Sequence, residues 1–313
     1  MFELIANPIM SYRIGSFNIR KLNLERSKES KKDFTKIAEI LRKYRFDIIA
    51  IQEAISKTAV EAIVRELGYT YSFAWDQPRR ALNGSIQEGF AFIWNNRRFS
   101  LSKREKESFD NPRIIENYRV KKQIGQANLA RDPFIAWFSP FNNPVCEIAL
   151  INTHIVFSAN WRDSDWGEDS FSSQVLRQKE FEVLTQSIYR DIAYRPVPGK
   201  CLYTILLGDY NLRLGSKFLP HEVMIDDRSI KRTILTVQEE LTTIKRPPKE
   251  GEEPATFYWS NNYDHFSFDK EILPINGISV SRINTVLDCK DYIEHNVIIS
   301  DHVPICLDID FRA

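Results

Sequence analysis

An α/β sandwich of mixed β-sheets, with helices on the outer faces, is the fold class this 313-residue sequence predicts. Short apolar runs alternate with amphipathic helical patterns along the chain. Helical patterns are fewer than strand patterns, and several strands follow one another with no helix between them. That order disfavours an all-parallel doubly wound sheet, whose strands need helical crossovers. Hydrophobic residues make up 43% of the chain, ordinary for a globular protein with a large core.

Taken in order, residues 12–19 read as the first strand. A helix is expected over 31–45, where Phe34, Ile37, Leu41 and Tyr44 recur at helical spacing between lysines. Residues 47–51 read as a buried strand, and 59–67 as a second helix stopped by Gly68. Strands are expected at 69–74, 89–94, 133–139 and 145–153, a long helix at 172–192 and a buried strand at 203–207. Further strands are expected near 263–268, 277–280, 297–299 and 304–310. The polar segment 245–254, KRPPKEGEEP, reads as a loop. Only about 60 residues follow it, so a single domain over 1–313 is expected, with the loop as an excursion.

Charge and composition exclude several classes. The net charge of +1 gives no global attraction to nucleic acid or membrane, so any steering is local. No stretch approaches the roughly 20 apolar residues needed to span a bilayer. The first residues, MFELIANP, have neither a basic segment nor an apolar run of signal-peptide length. The four cysteines form no CxxC pair and read as buried free thiols. A cytoplasmic location follows as an expectation, and no protein partner is evident.

Five polar clusters sit at strand ends: Asn18-Ile19-Arg20, Gln52-Glu53, Asn152-Thr153-His154, Asp209-Tyr210-Asn211 and Ser300-Asp301-His302. Each alone is an ordinary turn or surface group. Together, and in this order, they describe the side chains that phosphodiester cleavage needs. Hard oxygen donors such as Glu53 and Asp209 suit Mg²⁺, with Mn²⁺ or Ca²⁺ as alternatives. A bound cation neutralises the phosphoryl oxygens, while imidazoles move protons near neutral pH. Neutral Asn18 and Asn211 can hold water or a phosphoryl oxygen without adding negative charge. No thiolate belongs to these clusters, which disfavours zinc.

The ordered set FNIR, AIQE, NTH, LLGDYN and SDHVP resembles the endonuclease/exonuclease/phosphatase superfamily, and within it the deoxyribonuclease I branch, over residues 12–310. The resemblance implies a four-layer sandwich, two mixed β-sheets flanked by helices, with a divalent-metal site between sheet ends. It implies Glu53 as principal metal ligand, with Asn18 beside it and Asp301 contacting metal or water. Asp209 and Asn211 would position the attacking water and the phosphate. His302 and His154 would be the catalytic imidazoles, oriented by Asp264 and Glu88 respectively. Arg20 and Arg131 would contact phosphate. DNA is the implied partner and endonucleolytic cleavage the implied reaction. A phosphatase or a phospholipase C-type enzyme on inositol phosphates or sphingomyelin shares the NTH and SDH elements, and an inactive binding module is a third reading.

The chain departs from that branch at Ile55 and Ile86, where the nuclease carries an arginine and a tyrosine that contact the DNA groove. Basic residues outnumber acidic ones between Asn95 and Gln123, a segment that reads either as a solvated hairpin or as a backbone-binding rim. Trp161 and Trp166 lie in an insertion after His154, suited to stacking on bases or to pinning the loop. His221, His265 and His295 read as structural or surface residues.

Overall fold

Period-two alternation assigns each central strand one face toward the opposite sheet and one toward a helix. The computed structural model describes residues 11–24, 31–78, 87–102, 111–121, 126–156, 173–193, 198–213, 222–227, 230–271 and 277–310. The chain begins with β1 (Ser11–Leu22), α1 (Phe34–Lys43), β2 (Ile48–Ala54), α2 (Lys57–Leu67), β3 (Tyr71–Asp76) and β4 (Phe90–Asn95). Next come the short β5 (Phe99–Leu101), β6 (Arg113–Ile114), β7 (Arg119–Lys121) and β8 (Gln126–Asn128), then β9 (Phe134–Pro140) and β10 (Cys146–His154). After α3 (Ser173–Val183) and α4 (Arg190–Ala193) follow β11 (Cys201–Asp209), β12 (Glu222–Asp227), β13 (Ile230–Val237) and β14 (Asp264–Asp269). β15 (Ile278–Arg282), α5 (Tyr292–Ile298) and β16 (Ile305–Asp310) close the described fold.

One sheet has the order β15-β16-β1-β2-β4-β3; the other runs β12-β13-β14-β11-β10-β9-β5, with β6 also on β9. Both are mixed. β1 and β2 are parallel in one sheet and β10 and β11 in the other, while their outer neighbours run antiparallel. Ile14, Ile48, Phe92, Leu150, Leu207 and Phe266 meet between the sheets in one apolar cluster. Phe17, Ile49 and Ile51 face the other way, onto Ile37, Leu41 and Ile63 of α1 and α2. On the far sheet Ile151 and Leu206 pack beneath Phe181, Leu184 and Ile188. The result is the helix–sheet–sheet–helix sandwich expected.

Caps account for the helix starts. The Asp33 carboxylate accepts the Lys36 N–H and opens α1, and Ser56 accepts the Ala59 N–H at α2. The expected helix at 172–192 widens to a π-turn over Leu184–Tyr189, where the Thr185 hydroxyl donates to the Phe181 carbonyl. The strand expected at 297–299 is corrected: Val297 and Ile298 belong to α5. There the Asp291 carboxylate accepts the Glu294 N–H and starts a helix, which overrides the β-branched side chains. Cys146 and Cys306 are buried free thiols as expected; Cys201 is exposed and Cys289 half-buried.

Candidate active site

The same alternation that builds the core delivers the site. Ile14, Ile48, Ile148, Ile205 and Phe266 face the inter-sheet side. Counting by twos from them, Asn18, Gln52, Asn152, His154, Asp209 and Asp264 emerge on that side at one edge of the sandwich. β16 runs antiparallel to β1, so the residues entering it, Ser300 to His302, lie at the edge where β1 and β2 end. The Ser300 hydroxyl donates to the Asn18 carbonyl at 2.6 Å and accepts the N–H groups of Arg20 and His302, stitching the closing motif to β1.

Asp209 is the hub. Asn18 Nδ2 donates to Glu53 Oε1 and to Asp209 Oδ2, both at 3.0 Å. His154 Nε2 lies 3.5 Å and His302 Nε2 3.6 Å from the same Asp209 oxygen. Behind each imidazole stands a carboxylate: Asp264 Oδ2 is 2.8 Å from His302 Nδ1, and Glu88 Oε2 is 3.1 Å from His154 Nδ1. Glu88 also holds Arg131 at 2.6 Å. Two carboxylate–imidazole dyads therefore converge on one buried aspartate. Ligating atoms of Glu53, Glu88 and His154 lie within 4.8 Å of one another, as do those of Asp209, Asp264 and His302.

Three of the six non-glycine residues with positive φ among the described residues lie here. Glu53 (φ +57°) and Asn211 (φ +49°) are both left-handed, as is Lys21 (φ +51°), whose N–H donates to Glu53 Oε2. Non-glycine residues in this region cost about 1–3 kcal/mol each and persist where their surroundings over-determine them. The bulge between β1 and β2 after Asn18 supplies that constraint for Glu53. Gly208, at φ +144°, has no substitute: a Cβ would sit 1.9 Å from the Thr153 carbonyl oxygen.

Burial and charge shape the titrations. Desolvation alone would lower His302, but Asp264 and Asp209 outweigh it and raise the imidazole to about 10. Burial raises the Asp209 carboxyl against the pull of His302 and His154. Burial would raise Glu88 too, yet His154 and Arg131 hold it down at about 2.

The residues expected to act in catalysis, metal binding or phosphate contact lie at this edge, though not always free to act. Arg20 is paired with Asp301 at 3.2 Å, and Arg131 with Glu88. Asn211 Nδ2 donates to the Ile155 carbonyl, which leaves its oxygen as the group aimed elsewhere. The bridge beneath the site was not foreseen: Gln52 Nε2 donates to Asn152 Oδ1 at 2.7 Å, joining the sheets, and Asn152 Nδ2 donates to the Ile51 and Ala91 carbonyls. A polar residue in phase with a core-facing row was the available signal. Glu180 of α3, also unforeseen, accepts the Ala130 N–H from within the core. His265 Nε2 donates to the Leu212 carbonyl and His295 lies between Thr285 and Ser300, both buried and structural. Arg98 pairs with Asp47 at the start of β2, the edge away from the site, so it is no part of a substrate rim. Ile86, Trp161, Trp166, His221 and the lysines and arginine at 103–106 lie outside the described residues.

The donor chemistry fits a hard divalent cation. Asn18 Oδ1 is buried with no hydrogen-bond partner, beside the carboxylate of Glu53, and the group contains oxygen and imidazole donors but no sulfur. No curated protein matches the chain. Among solved structures, a D. rerio TDP2 complexed with a single-strand DNA product matches with TM-score 0.56 and 16% identity, over 96% of this chain and 99% of that one. The human Nocturnin catalytic domain with bound sulfate matches with TM-score 0.57 and 14% identity, over 96% and 95%. A Bacteroides thetaiotaomicron mannosyl-6-phosphatase matches with TM-score 0.58 and 14% identity, over 96% and 100%. At these identities the three establish the shared sandwich fold, and their differing activities do not single out deoxyribonuclease I. The sequence model of the Endonuclease/Exonuclease/phosphatase family matches residues 15–302, and the chain belongs to that family.

Proposed function

We propose that this protein is a divalent-metal-dependent endonuclease that hydrolyses DNA phosphodiesters by in-line attack of water. The observation that carries the reading is the convergence of the Glu88–His154 and Asp264–His302 dyads on Asp209. Glu53 and Asn18 would hold the cation, with Asp301 beside them. When bound, a divalent cation supplies charge neutralisation at the phosphoryl and leaving oxygens.

The chain's own residues do the rest. His302, its Nδ1 fixed by Asp264, would present Nε2 to the attacking water as general base in its neutral form, which a bound cation favours by offsetting the Asp209 charge that, with Asp264, raises the imidazole. Asp209 orients that water and supports the imidazolium that forms. His154, held through Nδ1 by Glu88, presents Nε2 to the leaving oxygen and gives it a proton. Arg131 and Arg20 contact the phosphate once substrate draws them from Glu88 and Asp301. DNA rather than a small phosphate ester is favoured by the Arg131–Glu88–His154 grouping, which matches the nuclease branch residue by residue.

A phosphomonoesterase is the second reading, motivated by the mannosyl-6-phosphatase among the similar structures. Purified protein is to be incubated with supercoiled plasmid, single-stranded DNA, RNA, mannose 6-phosphate and a phosphoinositide, with Mg²⁺ and with chelator. Metal-dependent plasmid nicking is expected. Phosphate release from the sugar or the lipid without nucleic-acid cleavage would overturn the nuclease reading and favour the phosphatase.

A further inference from the structure

We propose that Glu180 is a positioning residue of the active site: from inside α3, its carboxylate clamps the backbones of Ala130 and Val156 and so sets Arg131 and His154 against Glu88. The inference rests on the site reading above and adds a residue that lies outside all five strand-end clusters.

Glu180 is 3% exposed, on a helix whose neighbouring buried side chains, Leu176, Phe181 and Leu184, are apolar. Its Oε1 accepts the Ala130 N–H at 2.5 Å, and the Val156 N–H lies near enough to the same carboxylate to stabilise its charge. Neither N–H belongs to a strand ladder: Ala130 lies between β8 and β9, and Val156 two residues beyond β10. Both residues are buried, so without Glu180 two amide donors would be left dry, at about 1–3 kcal/mol each.

The two clamped peptides are the ones that matter to the chemistry. Arg131 follows Ala130 directly, and His154 precedes Val156 by two residues. Their side chains meet on the single Glu88 oxygen, Arg131 at 2.6 Å and His154 at 3.1 Å, and Arg131 Nη1 reaches toward the His154 carbonyl at 3.5 Å. Between His154 and Val156, Ile155 bonds the site a second time: its N–H donates to the Asp209 carbonyl and its carbonyl accepts from Asn211. A shift of the Val156 backbone is therefore transmitted to both the imidazole and the hub.

A carboxylate is needed for geometric reasons. Two N–H donors require two acceptor lone pairs facing them, which a glutamine can offer from one atom only, its other terminal atom being a donor. Aspartate keeps both oxygens but withdraws them by one methylene. Burial raises the Glu180 carboxyl to about 7 even against these donors, so the position retains an acid at a cost.

The test uses the full chain as Glu180→Gln and Glu180→Asp, with Leu176→Ala as a packing control on the same helix. kcat and KM are measured with bis(p-nitrophenyl) phosphate and Mg²⁺ at a fixed interval below each variant's Tm. The expected result is a fall in kcat of roughly 10–100-fold in Glu180→Gln with a smaller change in KM, and none of that split in the control. In parallel, histidine-labelled protein reports the His154 imidazole nitrogens, assigned by loss of the signal in His154→Gln. Those resonances are expected to move in Glu180→Gln or, should that variant not fold, in Glu180→Asp, and to stay in Leu176→Ala. Resonances and kcat that match the packing control would overturn the proposal. If the wild-type protein cleaves no phosphodiester, the nuclease reading falls, while the His154 resonances still decide the role of Glu180.

Discussion

Asp209 Oδ2 faces an amide donor and two imidazoles at once, and that crowding makes the metal-free site sensitive to pH. His302 is the clearest case. Its pKa is raised to about 10 in the folded state by Asp264 and Asp209, against an ordinary value near 6.5 when unfolded. A raised basic group stabilises the fold fully below its unfolded pKa, and the contribution is lost as pH rises through the folded one. Chelated wild-type protein should therefore lose stability between about pH 6.5 and 10, and His302→Gln should flatten that slope. Urea denaturation across the range reads it out; parallel curves for the two proteins would refute the assignment. Asp264→Asn keeps the shape of the dyad but not its charge, so the fold should persist while kcat drops about 10²–10⁴-fold, the scale of a lost general base. The strand-end polar residues were legible from their order along the chain. The pairing of Asp264 with His302 and of Glu88 with His154 came from the family resemblance; that both arginines rest in ion pairs was not legible, because it depends on side chains brought together from distant strands.

Strands carry these side chains accurately because the sheets are tied beneath them. Gln52 at the end of β2 and Asn152 at the end of β10 are both fully buried and bond across the inter-sheet space, just under Glu53 and His154. Removing one partner leaves a dry amide, whereas replacing both with leucine removes the demand along with the bond. Gln52→Leu or Asn152→Leu should each cost about 1–3 kcal/mol, and the double variant less than the sum. A double-mutant cycle in urea measures the coupling; strict additivity would show the bridge to be idle. Gly208→Ala acts on the same layer from the backbone, since its Cβ would meet the Thr153 carbonyl at 1.9 Å and force β10 from β11. Alternating and helical periods in the sequence sufficed for the long strands and for α1 and α2, whose burial follows a simple rule. They failed at α5, where a single Asp cap outweighs three consecutive β-branched residues, and gave no warning of the β12–β13 hairpin.

Across both sheets, the parallel pairs β1–β2 and β10–β11 open toward the same edge, and the antiparallel β14 and β16 return their starting residues to it. That topology explains why residues from 18 to 302 form one site, and why their order along the chain was informative. It also makes cation binding a test of the assembled sandwich, because Asn18, Glu53 and Asp209 come from three strands in two sheets. A ligand that binds only the folded form stabilises it by mass action, about 2.7 kcal/mol at a hundredfold excess over Kd. Mg²⁺ should therefore raise the Tm of the wild-type protein in a concentration-dependent way. Glu53→Gln removes a charged oxygen donor without changing shape and should abolish most of that rise. Leu176→Ala, an apolar residue of α3 and none of the oxygen donors, should lower the starting Tm yet keep the Mg²⁺-dependent increment. An equal increment in all three proteins would place the cation elsewhere and detach Glu53 from the role assigned to it, whatever the activity assays show.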